Sequence, residues 1–404
     1  MTARRVVVTG MGSVSAAGTG VEPLWRAARD GQSCVGALEV RQPYGGRIKI
    51  SAQVRDFDVD ARLEPGVAPF ADRFAAYALV AADEAFAQAG LDRAVRQGPR
   101  CAALLGTGIG GMHTIDDGIY SVYFANKRPE ALTVPKLIPS AGPALLSMRF
   151  GATGPCFAVA SACSSGAQAI GLAMQMIRSG MIDRAIVGGA EACATNGAMR
   201  AWESLRVLTP DLCRPFAKNR NGMVLGEGAA IFILEAEEIA RARGARPLCY
   251  LAGYGTNSDA LDPVRPDEAS ASACMNMALD DAGLKPEDIA YVNAHGTATV
   301  ANDANEAEAL NRSFGSHCEN LLVSSTKPIH GHTLGAAGAI ELVISVMALR
   351  EQVAPPSMNV ELQDPRCAIR LVGAAAVEWP MRAVLSNSFA FGGINASLIV
   401  TPAA

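Results

Sequence analysis

The sequence predicts an α/β protein whose sheets are covered on both faces by helices. Short β-branched runs alternate with longer alanine-rich helical patterns, and one helix–strand pattern occurs twice along the 404 residues. Half of the residues are hydrophobic and 18% are charged, which is typical of a well-packed globular chain. The length would allow two or three domains or one duplicated fold.

The predicted strands are short apolar runs bounded by turn residues. They cover residues 5–9, 102–106, 185–189, 289–293, 321–325 and 397–401. The first strand runs into a turn at Gly10 and is too short to be the hydrophobic region of a signal peptide. No apolar run reaches the roughly 18 residues that a membrane span requires, so we expect no membrane span.

The repeated pattern indicates two related halves. Residues 85–91 end one predicted helix before the strand that leads to Gly106, and residues 278–284 end another before the strand that leads to Gly296. The helix after Cys163 and the helix over residues 335–351 form a second pair of similar segments, since each follows a strand and a turn of small residues. We therefore predict an N-terminal half at 1–245 and a C-terminal half at 246–404 in one body. Coincidence is the alternative, because Gly commonly ends helices.

Charge and cysteine content exclude several classes of protein. A formal net charge of -4 provides no general basic field, so we expect no nucleic-acid partner. Ten cysteines are scattered along the chain without a CxxC pair, which favours a reducing environment over a disulfide framework. A cytoplasmic location is the expectation.

Cys163 is the first candidate for chemistry. It stands in the small-residue turn Ser161-Ala-Cys-Ser-Ser-Gly166, between an apolar run and a predicted helix over residues 167–177. At a helix N-terminus, unpaired N–H groups and the macrodipole favour the thiolate, the form that attacks a thioester. We therefore expect a nucleophile of lowered pKa. The alternative is a buried packing cysteine.

Two of the five histidines accompany it. His295 and His332 each follow a short apolar strand and lie in a glycine-rich turn, where side chains reach into clefts. The alternatives are hydrogen-bonded structural histidines, or a zinc site built from His330, His332 and Cys318. Zinc is disfavoured because histidines two positions apart face opposite ways in extended chain, and no further ligand spacing completes a tetrahedral set. Serine hydrolysis is disfavoured because no G-x-S-x-G turn is present.

Taken together, these segments resemble the β-ketoacyl synthase family. Residues 162–166 are similar to its nucleophile loop, 293–299 to its first histidine motif, 324–338 to its lysine–histidine motif and 386–393 to its C-terminal glycine turn. The four motifs occur in the family's order, and the resemblance runs from residue 5 to residue 401. It implies the thiolase fold, with duplicated halves in stacked α/β/α/β/α layers, and a dimer.

The resemblance also implies roles for individual residues. The catalytic residues are Cys163, His295, His332 and Lys327, the N–H groups of Cys163 and Phe391 form the oxyanion hole, and Phe389 belongs to the gate turn. Thr297 and Thr299 bind the pantetheine arm, and Ile109 and Trp202 line the acyl pocket. Asp303 and Glu306 form an acidic pair that supports Lys327 and the cleft, and Glu341 is a further supporting carboxylate. A monovalent cation, Na⁺ or K⁺, is implied at Asn293, Ala294, Glu341, Ser386 and Asn387, and no other cofactor is required.

The implied reaction is a decarboxylative Claisen condensation. An acyl chain held on Cys163 reacts with malonyl-acyl carrier protein to give β-ketoacyl-acyl carrier protein and CO₂. The carrier is acidic, so it should dock on a local basic patch, for which Lys127, Arg128 and Arg206 are the candidates. Arg206 matches a docking position of the family.

Several alternatives stay open. The chain could be the active ketosynthase subunit of a heterodimeric polyketide or polyene synthase, paired with a chain-length-factor-like subunit. It could also be a non-catalytic thiolase-fold partner, or a thiolase or thioester hydrolase. His330 and residues 211–215 favour nodulation-type synthases, whereas Ala390, Ile394 and the loop 261–266 depart from the elongating enzymes of fatty-acid synthesis.

Overall fold

The strands form mainly from the apolar runs seen in the sequence. The turn predicted at Gly10 is wrong, because the first strand passes through Gly10 with a shift of register and stays paired as far as Ser15. The computed structural model describes residues 4–41 and 43–403. Its strands are β1 (Val6–Ser15), β2 (Gly18–Thr19), β3 (Gly36–Ala37), β4 (Ile50–Ser51), β5 (Cys101–Gly106), β6 (Cys156–Val159), β7 (Arg184–Glu191), β8 (Gly228–Ala236), β9 (Cys249–Ser258), β10 (Ile289–Asn293), β11 (Leu322–Ser324), β12 (Val353–Ala354), β13 (Val377–Glu378), β14 (Ala383–Ala390) and β15 (Ile394–Pro402). All residues of β1, β5, β8 and β14 are buried, as expected of strands covered on both faces.

Helices cover these strands and connect them. They are α1 (Val21–Asp30), α2 (Val59–Arg62), α3 (Arg73–Gln88), α4 (Met112–Ile119), α5 (Thr133–Leu137), α6 (Ala141–Phe150), α7 (Ser165–Arg178), α8 (Asn196–Ser204), α9 (Glu237–Ala242), α10 (Glu268–Ala282), α11 (Val300–Phe314), α12 (Lys327–His330) and α13 (Ala337–Glu351). Side chains cap several of them; the Asp72 carboxylate accepts from the N–H of Phe74 at the start of α3. Within the described ranges, no helix combines the length and apolarity needed to cross a membrane.

The strand order repeats. One half runs β6-β5-β7-β8-β1 and the other runs β11-β10-β14-β15-β9. In both halves the first two pairings are parallel and the next two are antiparallel. Antiparallel pairing of Val7 with Tyr250 and of Val8 with Cys249 joins β1 to β9. The predicted α/β class with duplicated halves is confirmed, whereas the division at residue 245 stays a prediction.

Two buried helices, α7 and α13, pack against each other between the halves, and each follows a 3₁₀ turn. A Cβ at Gly166 would lie 3.0 Å from the carbonyl oxygen of Gly335, and a Cβ at Gly338 would lie 2.8 Å from the Cβ of Ala167. Only glycine allows this close approach. The packing brings the turn that carries Cys163 next to the turn that follows His332.

Candidate active site

Cys163, His295 and His332 meet at the junction of the two halves. The Nε2 atom of His332 lies 3.2 Å from the Sγ atom of Cys163. One ligating atom from each of the three side chains lies within 4.8 Å of the other two, and the imidazole rings meet edge to face with centroids 5.3 Å apart. A thiol and two imidazoles can therefore contact the same small substrate group.

Local backbone geometry aims these side chains. Cys163 lies in the 3₁₀ turn Ala162–Ser164 immediately before α7, and Ala162 has a left-handed φ of 50°. His295 follows β10, and His332 follows the Gly331 residue that ends α12 with φ 71°. The left-handed region is unfavourable for alanine, so the surrounding packing must hold Ala162 in place.

Both imidazoles are neutral near pH 7. Burial, followed by the positive charge of Lys327, lowers the pKa of His295 and the pKa of His332 well below the usual histidine range. The Nδ1 atom of His332 is buried and has no hydrogen-bond partner among the described residues. A neutral ring can offer one N–H to a substrate oxygen.

The thiol differs from the sequence-based expectation. Cys163 is buried, and this burial raises the pKa of its thiol to about 12, with only a partial opposing effect from Lys327. The expectation of a lowered pKa was therefore wrong for the free protein, because desolvation outweighs the favourable position before α7. A proton acceptor is needed to form the thiolate, and His332 is the base within reach.

The charge of Lys327 lowers the pKa of both histidines, and its side chain contacts His295. Its Nζ atom lies 3.5 Å from Nδ1 of His295 and donates a hydrogen bond to the Glu341 carboxylate. Lys327 and Glu341 are both fully buried. The part of the prediction that gave Lys327 its support from Asp303 and Glu306 is corrected, since Glu341 is the carboxylate that contacts Lys327, and Glu306 interacts with it through charge alone.

Asp303 and Glu306 instead hold the backbone of the first histidine turn. The Glu306 carboxylate accepts hydrogen bonds from the N–H groups of His295, at 2.8 Å, and Gly296, at 2.7 Å. The Asp303 carboxylate accepts from the N–H groups of Ala298, at 3.1 Å, and Phe216, at 2.7 Å. Burial raises the pKa of Glu306 to about 7 and the pKa of Asp303 to about 6.

A cavity of about 130 Å³ opens onto this cluster. Its walls include Cys163, His295 and His332, both gate phenylalanines, Phe389 and Phe391, and the two threonines of the pantetheine prediction, Thr297 and Thr299. The two threonine hydroxyls lie 2.9 Å apart. The loop 261–266 forms part of the mouth, and the N–H of Gly392 donates to the Pro263 carbonyl oxygen at 2.8 Å, so the loop and the gate turn are joined.

The predicted acyl-pocket residues lie in an apolar cluster that also contains Cys163. Ile109 and Trp202 are partly buried members of it, beside Met112 and Met199. The Trp202 ring stacks on Phe391 with centroids 6.0 Å apart, so this cluster reaches the gate turn. A hydrocarbon chain on the Cys163 sulfur would meet apolar side chains on this side.

The predicted docking residues are exposed, but they lie in two different segments of the fold. Arg206 follows α8 and precedes Val207, which lines the cavity. Lys127 and Arg128 follow the π-helical turn Tyr120–Phe124, whose Tyr123 and Phe124 are strongly exposed. Of the three candidates, Arg206 is the one that adjoins a residue of the cavity.

The residues proposed for a monovalent cation offer two suitable atoms. Oδ1 of Asn293 and Oε2 of Glu341 are buried oxygens that find no hydrogen-bond donor in the described part of the chain. Oδ1 of Asn387, by contrast, accepts from the Ser397 hydroxyl at 2.8 Å. The donor chemistry fits a hard cation at Asn293 and Glu341, which would add positive charge near Lys327.

The zinc alternative is not supported by the arrangement. His330 is buried with its Nε2 atom 2.9 Å from the Thr326 hydroxyl, and Cys318 packs in a different apolar cluster. In the described residues, the group of potential metal ligands is Cys163, His295 and His332, which excludes both.

Glu191 is a buried residue that the sequence interpretation missed. It ends β7, and its carboxylate accepts hydrogen bonds from Gly108, Gly335 and Thr107. The signal available in the sequence for this residue was its acidic side chain directly beyond the apolar run 185–189. Its partners lie 83 to 144 positions away in sequence, so their identity could not be read locally.

Comparison with known proteins gives consistent matches over the chain. The family descriptions "Beta-ketoacyl synthase, N-terminal domain" and "Beta-ketoacyl synthase, C-terminal domain" match residues 3–240 and 248–361. Nodulation protein E of Rhizobium sp. (strain N33) is 40% identical over 400 residues, covering 98% of both chains. The 3-oxoacyl-[acyl-carrier-protein] synthase 2 of Staphylococcus aureus (strain COL) is 36% identical over 408 residues, with the same coverage.

Solved structures give the same result for the fold. The structure titled "The ishigamide ketosynthase/chain length factor" superposes with a TM-score of 0.95 at 32% identity, over 100% of both chains. The predicted thiolase-type architecture with duplicated halves is thereby confirmed. The sequence-based preference for nodulation-type features agrees with the similarity to nodulation protein E.

Proposed function

The chain belongs to the β-ketoacyl synthase family of condensing acyltransferases, and from that premise we propose how its own residues carry out the condensation on carrier-bound substrates. Cys163 holds the growing acyl chain, while His295 and His332 act on malonyl-acyl carrier protein. The observation that carries this proposal is the convergence of one thiol and two neutral imidazoles at the floor of a single cavity.

The first half-reaction is acyl transfer to Cys163. The thiol proton passes to Nε2 of His332, 3.2 Å away, as the sulfur attacks the acyl thioester. The N–H groups of Cys163 and Phe391 stabilise the oxyanion, and each such donor typically contributes about 3 kcal/mol. The tetrahedral adduct then expels the carrier thiolate, which takes the proton, so His332 returns to its neutral form.

The second half-reaction is decarboxylation and carbon–carbon bond formation. The bond between the malonyl carboxylate and its methylene carbon breaks, CO₂ leaves, and the electron pair passes into the thioester as an enolate. Once the single proton of the neutral His332 ring lies on Nε2, the Nε2–H groups of His295 and His332 hydrogen-bond the enolate oxygen, and neither ring needs to carry a positive charge to do so. The methylene carbon attacks the acyl-Cys163 carbonyl, and the released thiolate takes a proton from solvent.

Lys327 supports His295 in this scheme. The Lys327 ammonium group pairs with Glu341 and lies beside Nδ1 of His295, where, after burial, it is the second cause that lowers the pKa of that ring. A cation bound at Asn293 and Glu341 would supply further positive charge without taking part in bond making. Thr297 and Thr299 line the cavity, which supports a role for both hydroxyls in hydrogen-bonding the pantetheine arm.

A second thiolase-fold subunit is the proposed protein partner besides the carrier. β6 lies at the end of the strand order with partly exposed Phe157, Ala158 and Val159, and unpaired edge strands are templates for pairing. Tyr123 and Phe124, 78% and 75% exposed, add an apolar surface. Either a second copy of this chain or a chain-length-factor-like subunit would cover them, and sedimentation of the purified chain alone distinguishes the two.

The deciding experiment measures CO₂ and product together. The purified chain is given acyl thioester and malonyl-acyl carrier protein, with Cys163→Ala as the matched control. We expect CO₂ release, acyl-Cys163 by intact mass, and a β-ketoacyl-carrier product that the control does not form. A chain that gives neither acyl-Cys163 nor CO₂, also with a candidate partner subunit added, is a non-catalytic partner; hydrolysis without a β-keto product indicates a thioester hydrolase.

A further inference from the structure

One buried carboxylate connects the acyl side of the site to the histidine side. Oε2 of Glu191 accepts hydrogen bonds from the N–H of Gly108 at 2.6 Å and from the N–H of Gly335 at 3.0 Å. Oε1 accepts from the Thr107 hydroxyl at 3.0 Å and from the N–H of Ile109 at 3.4 Å. A single side chain thus fixes two loops, one from each half of the fold.

Each of these loops leads directly to a residue of the site. The loop 107–110 carries Ile109, which packs in the apolar cluster around Cys163. The turn 333–336 begins one residue after His332, and its Leu334 belongs to the same cluster and has a left-handed φ of 47°. A shift of either loop would therefore move an acyl-contacting side chain or a catalytic imidazole.

The two loops meet so closely at Gly108 and Gly335 that no side chain fits at either position. A Cβ at Gly335 would lie 2.2 Å from the N atom of Gly108 and 2.6 Å from Oε2 of Glu191. A Cβ at Gly108 would lie 2.8 Å from the same oxygen. At Gly108 and Gly335 the backbones of the two loops approach each other closely, and the Glu191 carboxylate contacts both.

This carboxylate is held in an unfavourable environment. Glu191 is fully buried, burial raises its pKa, and the groups that oppose this effect are backbone amides, the Thr107 hydroxyl and the Cys193 thiol, all of them neutral. Burying an ionisable group without a cation costs free energy that hydrogen bonds must offset. An apolar residue or glutamine here would avoid that cost but could not accept four hydrogen bonds with two oxygens.

We propose that Glu191 is a positioning residue that holds two segments in one fixed arrangement, the acyl-pocket loop 107–110 and the turn 333–336 after His332. Both half-reactions therefore depend on Glu191. It touches no substrate and acts through Ile109 on the acyl chain and through the 333–336 turn on His332. This inference rests on the proposed condensation.

The test measures the two half-reactions separately in Glu191→Gln. Acylation of Cys163 is followed by intact mass with acyl thioesters from two to sixteen carbons, and malonyl decarboxylation is followed in a Cys163→Ala background that cannot be acylated. We expect decarboxylation to fall by about tenfold or more, and kcat/KM for long acyl chains to fall at least about fivefold further than for acetyl, because one amide cannot satisfy every donor.

Two control variants separate positioning from loss of stability. Glu235→Gln changes another fully buried glutamate, on β8, whose partners Arg184, Arg243 and Thr9 lie away from both loops. It should lower the melting temperature without altering the acyl-chain profile. Thr107→Val removes a hydroxyl of the loop 107–110 that donates to Glu191 and accepts from the N–H of Gly110, in the same loop, at 3.1 Å, so it should change the acyl-chain profile and leave decarboxylation within about twofold.

Distinct outcomes contradict the inference and the proposed function. If the unmodified chain neither loads Cys163 nor decarboxylates, the proposed function fails. If it does both and Glu191→Gln leaves either half-reaction unchanged, Glu191 does not couple the loops. If Glu191→Gln does not fold, Thr107→Val still tests the contact between Glu191 and the loop 107–110. An unchanged acyl-chain profile in that variant overturns the inference.

Discussion

His332 and Cys163 form the closest side-chain contact among the proposed catalytic groups, with 3.2 Å between Nε2 and Sγ although 169 positions separate the two residues in sequence. Because burial raises the pKa of the thiol to about 12, we expect its reactivity to depend on this neighbour rather than on an intrinsically acidic sulfur.

This contact predicts the reactivity of the thiol. In His332→Asn, alkylation of Cys163 by iodoacetamide at pH 7.5 should slow by about tenfold or more, because the proton acceptor is lost. Peptide mass spectrometry gives the rate for each cysteine, and the half-buried Cys34 should react at an unchanged rate. Equal Cys163 rates in the two proteins would show that His332 does not activate the sulfur.

His295 should affect one half-reaction only. His295→Ala removes a hydrogen bond to the enolate, so malonyl decarboxylation should fall by at least about 100-fold. Acylation of Cys163 should stay within a few-fold, because the contact to the sulfur comes from His332. Radiolabelled CO₂ release and intact mass measure the two steps, and normal decarboxylation by the variant would leave His295 with a structural role.

Removal of Lys327 should change the pH dependence of decarboxylation. In the unmodified chain the histidine pKa values lie well below 6.5, so protonation of His295 and His332 should not lower the rate between pH 8 and 6. Burial, the largest cause of the lowered pKa of His295, remains in Lys327→Met, whereas the second cause, the Lys327 charge, is lost, so this pKa rises part of the way towards its usual range. The acid limb of the variant's pH–rate profile should therefore lie at higher pH than that of the unmodified chain when both are followed downwards from pH 8. Parallel pH–rate profiles would contradict the role assigned to Lys327.

Ile109 should set the acyl-chain length. Its side chain packs in the apolar cluster beside Cys163, so Ile109→Phe should block loading of long chains while acetyl loading is spared, and Ile109→Gly should widen the range. Intact mass of acyl-Cys163 with a series of thioesters gives the profile. Should both variants keep the original profile, the chain extends in another direction and Ile109 is only a packing residue.

Basic residues should determine carrier recognition. Charge reversal at Arg206, Lys127 or Arg128 should raise KM for carrier-bound substrate roughly fivefold or more and leave small thioester substrates nearly unaffected. Arg96→Glu is the matched control, since Arg96 is exposed but precedes β5, at the end of the strand opposite the 107–110 loop. Equal losses on both substrate types would refute docking at these residues.

Local patterns in the sequence determined the elements and the reactive groups. Strand and helix periodicity, glycine-ended helices and the turns around Cys163, His295 and His332 depend on neighbouring residues, and the structure places each near its predicted position. The repeat of the helix–strand pattern likewise appears in the order of both half-sheets.

Only the tertiary structure decided which partner each charge has and how strongly it is desolvated. Glu341, not the acidic pair Asp303 and Glu306, contacts Lys327, because the packing of α13 brings it there from 14 positions away. Burial of Cys163 by residues from both halves reversed the expected direction of its pKa shift. Glu191 joins loops from both halves. Contacts and solvent exclusion of this kind arise from residues distant in sequence, so local patterns could not reveal them.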